Sequence, residues 1–382
     1  MLTKEAPDGD PSVPSADGDT VRDGQQGKPV TGRWCRGTRL LVAATAAWTI
    51  FLVLHILLTD RWWPWLVVEA TPTLTLVAVP LLLLVLVPFA RPVRRWLPVV
   101  LVVLLLTGAH LAGYGPGWTN TAGGSPRGTP VKVFAWNTQY WQMSDDKDAF
   151  YAFLRRQDAD VYLLQEYLYW EGDDTPVRID DSARLRAEFP GYELVVDGEL
   201  LTLSRLPVVS AHRQPVPGTG TDWFWKGTKA QRTDIRAGGR TVSFYNVHLP
   251  VPFRLEDNPL SGRFYRFLKD QGTWRLTELR NLRTDMTGNP NPAVVVGDFN
   301  TPWMEPSSLG AGTQVHSPTG ALLPARSWPV AGSALPRLWR LDWLYTSGGL
   351  AVPSYHFGGG EAFSDHTAQE IRVVIPDEVH TP

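Results

Sequence analysis

Cysteine is almost missing from this chain: Cys35 is its single thiol in 382 residues. One thiol excludes an intrachain disulfide and a thiolate metal cluster. Surplus charge of either sign is missing too. The formal net charge is −2, so no global bias points to a strongly charged partner. The sequence also shows no internal repeat and no nucleotide-binding glycine fingerprint, which leaves repeat architectures and dinucleotide chemistry without support.

Large apolar side chains are scarce in residues 1–32, which are rich in Asp, Gly, Pro and Ser. Such a segment buries too little surface to offset its chain entropy. Residues 1–38 are therefore read as a disordered cytoplasmic tail. Apolar residues then crowd together. Leu40 to Thr59, Thr71 to Ala90 and Trp96 to Tyr114 are three runs without formal charge, and a bilayer core needs about 20 apolar residues in a helix. Residues 39–114 are expected to form a three-helix membrane anchor. Pro72, Pro80 and Pro88 punctuate the second run, as membrane bundles tolerate. Trp62, Trp63, Trp65 and Trp96 stand at run ends, where amphipathic rings favour the interface. A cleaved signal peptide fits poorly, because the preceding tail is long and two further runs follow.

Basic residues set the expected orientation. Lys28, Arg33, Arg36 and Arg39 precede the first run, and Arg91, Arg94 and Arg95 lie between the second and third. Arg61 alone lies between the first and second. Lys and Arg accumulate on the cytoplasmic side. This places the N-terminus inside and everything after Tyr114 outside, as an extracytoplasmic domain of a multi-pass cell-membrane protein.

Residues 115–130, GPGWTNTAGGSPRGTP, read as a flexible linker. Beyond them, residues 131–382 have mixed α/β composition. Val131–Trp136, Val161–Gln165, Tyr192–Val196, Leu200–Ser204, Thr241–His248, Ala293–Val296, Leu341–Tyr345 and Ile371–Ile375 read as strands. Asp145–Gln157 and Gly262–Met286 read as helices, the second with Phe264, Phe267, Leu268, Leu279 and Leu282 at helical spacing. Many strands with few long helices imply two packed sheets flanked by helices.

Six short motifs stand beside these strands. They are Trp136–Asn137, Gln165–Glu166, Asn246–Val247–His248, Gly297–Asp298–Phe299–Asn300, Asp342 within Arg340–Leu341–Asp342–Trp343, and Ser364–Asp365–His366. Singly, each has a structural account: Asn137 caps a turn, Glu166 is a surface carboxylate, Asp298 and Asn300 shape a turn, and the histidines are satisfied core groups. Together they place Asn, Glu, His and Asp at rigid strand ends, where chemistry is commonly delivered.

This ordered set resembles the endonuclease/exonuclease/phosphatase superfamily, which includes DNase I-like nucleases, abasic-site endonucleases, inositol polyphosphate 5-phosphatases and neutral sphingomyelinases. The resemblance runs from Val131 to the C-terminus. Ala368 departs from it, since the family often has proline two residues past the histidine. The likeness implies an α/β four-layer sandwich and hydrolysis of phosphoric ester bonds. It implies Glu166 as the main metal ligand, completed or supported by Asn137 and Asp365. His366, held by Asp342, would activate the attacking water or stabilise phosphoryl charge. Asp298 and Asn300 would orient the nucleophile and a phosphate oxygen, and His248 would serve the phosphate or the leaving oxygen. Oxygen ligands suit a hard cation, Mg²⁺ or Mn²⁺.

Three substrate classes stay open: a lipid-linked phosphate or pyrophosphate, extracellular nucleic acid, and a phospholipid or sphingolipid head group. From residue 118 onward the chain carries 26 basic and 30 acidic residues, a balance of −4. Nucleic-acid binders usually show the opposite balance. Spans followed by an outward-facing domain also resemble the glycopeptide-resistance (VanJ-like) branch of bacterial membrane proteins, which implies a prenyl-lipid phosphate. Trp223, Phe224 and Trp225 read either as an apolar lip against lipid or as a hairpin packed on the sheet. A degenerate, non-catalytic scaffold is the reading that intact motifs disfavour.

Overall fold

A computed structural model of the chain describes residues 34–114, 127–141, 146–172, 175–212, 219–254, 257–303, 309–320, 325–330, 333 and 335–376. Most of the expected tail and linker lies outside the described residues.

The apolar N-terminal region forms α1 (Arg36–Leu58), α2 (Leu66–Glu69), α3 (Leu74–Leu86) and α4 (Leu97–Leu111). Among the described residues, α1 alone is long and apolar enough to cross a membrane as one helix. α2 and α3, with the short 3-10 turns around them, form a pair bent by 64° that meets the same test together. Prolines explain the break-up of the second run. Pro72 precedes α3, and Pro88 falls in the 3-10 turn that ends it, and each lacks a backbone N–H for the helical ladder. α4 has 15 residues, about 22 Å at 1.5 Å per residue. Leu82, Val99 and Leu106 on α3 and α4 are 62%, 64% and 64% exposed. Aliphatic surface of this kind, left bare on several helices, calls for a cover.

The rest of the chain builds two six-stranded sheets. The first runs β13 (Ala351–Phe357), β14 (Gln369–Ile375), β1 (Thr129–Asn137), β2 (Val161–Gln165), β6 (Leu200–Ser204) and β5 (Glu193–Asp197). The second runs β11 (Gln314–His316), β12 (Asp342–Thr346), β10 (Ala293–Asp298), β9 (Arg240–His248), β8 (Ala230–Ala237) and β7 (Val208–His212). A small hairpin, β3 (Leu168–Glu171) and β4 (Thr175–Arg178), stands apart. In each sheet the central pair is parallel: β1 with β2, and β9 with β10. Parallel neighbours need a crossover. α5 (Lys147–Gln157) supplies the first and α8 (Gly262–Gly288) the second. The short helices α6 (Ser182–Glu188) and α7 (Asp222–Trp225) complete the set.

Alternation along the strands makes three cores. Val133, Leu163, Phe244, Val296 and Val373 meet between the sheets. Phe134, Trp136 and Tyr162 face outward from the first sheet onto Phe150, Phe153 and Leu154 of α5. Val247, Val295 and Tyr345 face outward from the second onto Leu279 and Leu282 of α8. The expected sheets with flanking helices are present.

Several local expectations change. β1 starts at Thr129, inside the segment read as linker, because residues 129–135 pair along their length with β14. α5 starts at Lys147, with the Asp146 carboxylate capping the Ala149 N–H at 2.8 Å; Asp145 lies outside the described residues. Trp223–Trp225 belong to α7 rather than to a hairpin. The stripe read on α8 is divided. Leu279 and Leu282 cover the sheet, whereas Phe264 and Leu268 pack on Leu66 of the N-terminal region.

Phe244 is fully buried between the sheets. Phe244→Ala is expected to cost about 3–5 kcal/mol, read as a lowered melting transition; a loss under about 1 kcal/mol contradicts the shared inter-sheet core.

Candidate active site

Strand register gathers the motifs at one end of the two sheets. Asn137 lies opposite Gln165 across the β1–β2 pair, and Glu166 follows at once. Asp298 lies opposite His248 on one side and Asp342 on the other. His366 enters from the loop before β14, its N–H held by the Ser364 hydroxyl at 2.9 Å; that hydroxyl donates to the Asn137 carbonyl at 2.7 Å. Asn246, in the same motif as His248, ties the sheets together: its Oδ1 accepts from Gln165 Nε2 at 2.6 Å and its Nδ2 donates to the Leu164 carbonyl at 2.9 Å.

Two of these residues hold costly backbone. Glu166 has φ 61° and Asn300 φ 49°. Left-handed non-glycine residues cost about 1–3 kcal/mol each and concentrate where function demands a fixed direction. Gly297 is required for closeness: at φ +145°, a Cβ there would sit 2.0 Å from the Val247 carbonyl oxygen. The glycine of the GDFN motif thus permits the tight β9–β10 approach beside Asp298.

Hydrogen bonds interlock the side chains. Asn137 Nδ2 donates to Glu166 Oε1 and to Asp298 Oδ2, both at 3.0 Å. Two carboxylate acceptors orient this amide with its nitrogen toward the site. Asp298 Oδ1 accepts the Asn300 N–H at 2.7 Å. His366 Nδ1 pairs with Asp342 Oδ2 at 2.9 Å, while its Nε2 lies 3.5 Å from Asp298 Oδ2. His248 Nε2 lies 3.8 Å from both Glu166 Oε1 and Asp298 Oδ2. Asp365 Oδ2 accepts from Trp328 Nε1 at 2.8 Å, and its backbone N–H donates to Gln139 Oε1 at 2.8 Å. Asp298, Asp342 and His366 each bring one ligating atom within 4.8 Å of the others. All eight residues singled out from the sequence thus lie in one connected site.

The family model for the Endonuclease/Exonuclease/phosphatase family matches residues 134–366. The chain belongs to this family. It is a hydrolase of phosphoester bonds, of a family that uses divalent metals. Among solved structures, the chain is similar to D. rerio TDP2 humanized by 14 mutations, at 14% identity over 64% of this chain and 99% of that one, with a TM-score of 0.46. It is also similar to an endonuclease/exonuclease/phosphatase from Beutenbergia cavernae, at 15% identity over 65% of this chain and 72% of that one, TM-score 0.42. A family protein from Bacteroides thetaiotaomicron matches at 14% identity over 68% and 99%, TM-score 0.41. No curated protein matches the chain.

Burial and charge set the protonation of this family member's site. Burial raises the Glu166 carboxyl to about 7; nearby Glu199 and Asp365 push the same way, and His248 opposes them. Burial likewise raises Asp298, against the pull of His366. For His366, burial disfavours the charge, but Asp342 and then Asp298 overcome it and hold the ring well above the ordinary histidine range. For His248, burial again opposes the charge and Glu199 reverses it, raising the ring.

Glu199 and Lys229 are site residues that the motif reading missed. Glu199 Oε2 pairs with His248 Nδ1 at 2.9 Å, and Glu199 Oε1 accepts from the Lys229 ammonium. Burial raises the Glu199 carboxyl, but His248 and Lys229 outweigh it and hold it at about 2. The Lys229 ammonium also lies 3.8 Å from the Phe224 ring centre. Neither residue sits in a motif: Glu199 lies in the turn between β5 and β6, and Lys229 just before β8, so no strand pattern marked either one.

Glu199→Gln is expected to lower kcat about 10²-fold, the scale of a lost acid–base partner. It also removes the charge that raises His248, so the alkaline limb of the pH–rate profile should move to lower pH. Adding Lys229→Met removes the stranded ammonium and should recover stability without recovering turnover. Unchanged kcat and pH profile in Glu199→Gln would exclude the pairing as functional.

Proposed function

We propose that this chain is a membrane-anchored, divalent-metal-dependent phosphoesterase that hydrolyses a lipid-linked phosphate or pyrophosphate at the outer membrane face. One observation carries this reading: Glu166, His248, Asp298 and His366 line a cavity of about 530 Å³ whose mostly apolar lining includes Trp170, Phe224, Trp225, Phe253 and Trp339. Lys229 and Arg254 are the Lys and Arg side chains among its described lining residues. Lys229 is paired with Glu199, and Arg254 lies over the Trp225 and Phe267 rings. A nucleic-acid backbone is bound by rows of basic groups, whereas an apolar wall beside charged groups suits a head group with a hydrocarbon chain.

The donor chemistry fits a hard cation. Glu166 and Asp365 offer carboxylate oxygens, Asn137 orients Glu166, and the described lining residues include no sulfur. Mg²⁺ or Mn²⁺ held there would neutralise phosphoryl oxygens and acidify water. The chain's own groups divide the remaining work. Asp298 takes the proton of the attacking water, steadied by the Asn300 and Asn137 donors. His366, with a carboxylate at each ring nitrogen, keeps its charge and stabilises the developing phosphoryl charge. Asp342 fixes the orientation of its ring. His248, fixed by Glu199, protonates the leaving oxygen. Asn300, whose Nδ2 donates to the Leu249 carbonyl at 2.9 Å, orients the phosphate.

The same reading takes the two sheets and their outer helices as the four-layer sandwich of the family. It takes residues 39–114 as three spans, 115–130 as the link and 131–382 as the catalytic domain. Arginine placement puts the N-terminus inside. The end of the α4 segment supports one-sidedness, since the Gly113 carbonyl accepts from the Ser317 hydroxyl at 2.7 Å, as the α1–α3 connection also touches the domain. This layout agrees with the glycopeptide-resistance branch.

Glu166→Ala and His366→Ala are each expected to lower kcat at least about 10²–10³-fold with the fold intact by circular dichroism, and excess EDTA should stop turnover. Offered a long-chain isoprenoid pyrophosphate, sphingomyelin and plasmid DNA with Mg²⁺, the full chain should prefer the isoprenoid; preferential DNA cleavage overturns the lipid reading. A phosphatase reporter fused after Tyr114 should be active outside the cell, and activity confined to an N-terminal fusion reverses the topology.

A further inference from the structure

The segment between α1 and α3 does not run free across the membrane surface. It is built into the catalytic region. The indole N–H of Trp303 donates to the Glu69 carbonyl at 2.5 Å, and that of Trp339 to the neighbouring Ala70 carbonyl at 2.6 Å. Two indoles from separate loops therefore clamp adjacent carbonyls at the end of α2. Leu66 packs on Phe264 and Leu268 of α8. Gly272 of α8 permits the approach, since a Cβ there would sit 2.8 Å from the Trp63 Cβ.

The contact reaches the catalytic loop. Arg275, 1% exposed, donates from Nη1 to the Phe299 carbonyl at 2.6 Å, between Asp298 and Asn300. Its Nε lies 3.7 Å from Asp60 Oδ1 of the N-terminal region. A buried guanidinium is costly without its acid, so the group that holds the GDFN backbone also favours the docked segment. Leu66, Glu69 and Ala70 then line the same cavity as His248, Asp298 and His366.

We propose that residues 63–70 are part of the substrate site: they form the wall along which the hydrocarbon chain of a membrane lipid reaches the catalytic groups. The assignment rests on the lipid-phosphate reading above and adds the element that confers it. The occupant follows from continuity. This wall joins, within a few residues at each end, helices whose apolar faces are bare. Phe224 and Trp225 line the same cavity, Phe253 packs beside Leu66, and the volume is in the range of about 300–1,000 Å³ that encloses an organic ligand. The catalytic domain is then an incomplete lipid enzyme without its N-terminal region, even though that region carries no catalytic group.

The test uses the full chain in lipid nanodiscs, with a long-chain isoprenoid pyrophosphate and the water-soluble diester bis(4-nitrophenyl) phosphate as substrates. Leu66→Trp fills the wall, and Trp339→Phe deletes one indole N–H while leaving the cleft open. Each is expected to lower the ratio of lipid to soluble-diester kcat/KM about tenfold or more, a change on the scale of pocket discrimination, mainly through KM for the lipid. Leu66→Met, which keeps the volume, should retain the ratio. A ratio unchanged in both variants, or parallel losses on both substrates, overturns the assignment while leaving the lipid reading standing. Wild-type turnover of the soluble diester with none of the lipid overturns the lipid reading and this assignment with it.

Discussion

A buried carboxylate must be matched by donors, and Asp298, 1% exposed, is matched by groups from both halves of the fold. Asn137 comes from the first sheet, Asn300 from its own loop, and His248 and His366 stand within 4 Å of its Oδ2. Their arrangement depends on this shared acid. It makes the end of β10 a point where the two sheets exchange charge as well as hydrogen bonds, beyond the apolar core and the Asn246 ties that also join them. Low dielectric strengthens each of these pairings and equally raises the cost of leaving one unmade.

The two histidines are built alike. Each has one ring nitrogen on a buried acid, Glu199 for His248 and Asp342 for His366, and turns the other toward Asp298. Such pairing orients the ring and favours its charged form. Of the two roles the sequence left for His366, the proposed mechanism takes charge stabilisation, on the carboxylate beside each ring nitrogen. The same crowding of acids around Glu166 makes an oxygen site that suits a hard cation.

The N-terminal region changes meaning once the fold is known. As a linear pattern it reads as an anchor joined through a short link, and proximity to lipid follows from link length alone. The contacts are more specific than proximity. Trp303, Trp339 and Arg275 hold the α1–α3 connection by hydrogen bonds and charge. The wall of the catalytic cavity is therefore assembled from both regions.

The six motifs were legible because their chemistry is local: a strand, then a turn, with the reactive side chain between them. GDFN carried its own geometry, since Gly297 is the residue that lets β9 and β10 approach. Glu199 and Lys229 were illegible because what makes them site residues is a partner 49 and 30 positions away, respectively. The α8 stripe was legible as periodicity, yet period alone does not say what covers each turn, and two partners divide it. The sequence by itself determined the motif-bearing strands, the two long helices and the family, because backbone preference and side-chain chemistry are properties of short segments; β3, β4, β7, β8, β11 and β13 were not read from it. Tertiary structure alone decided which acid holds which histidine, and that the α1–α3 connection lines the cleft. Those are facts of register and packing between segments far apart in the chain.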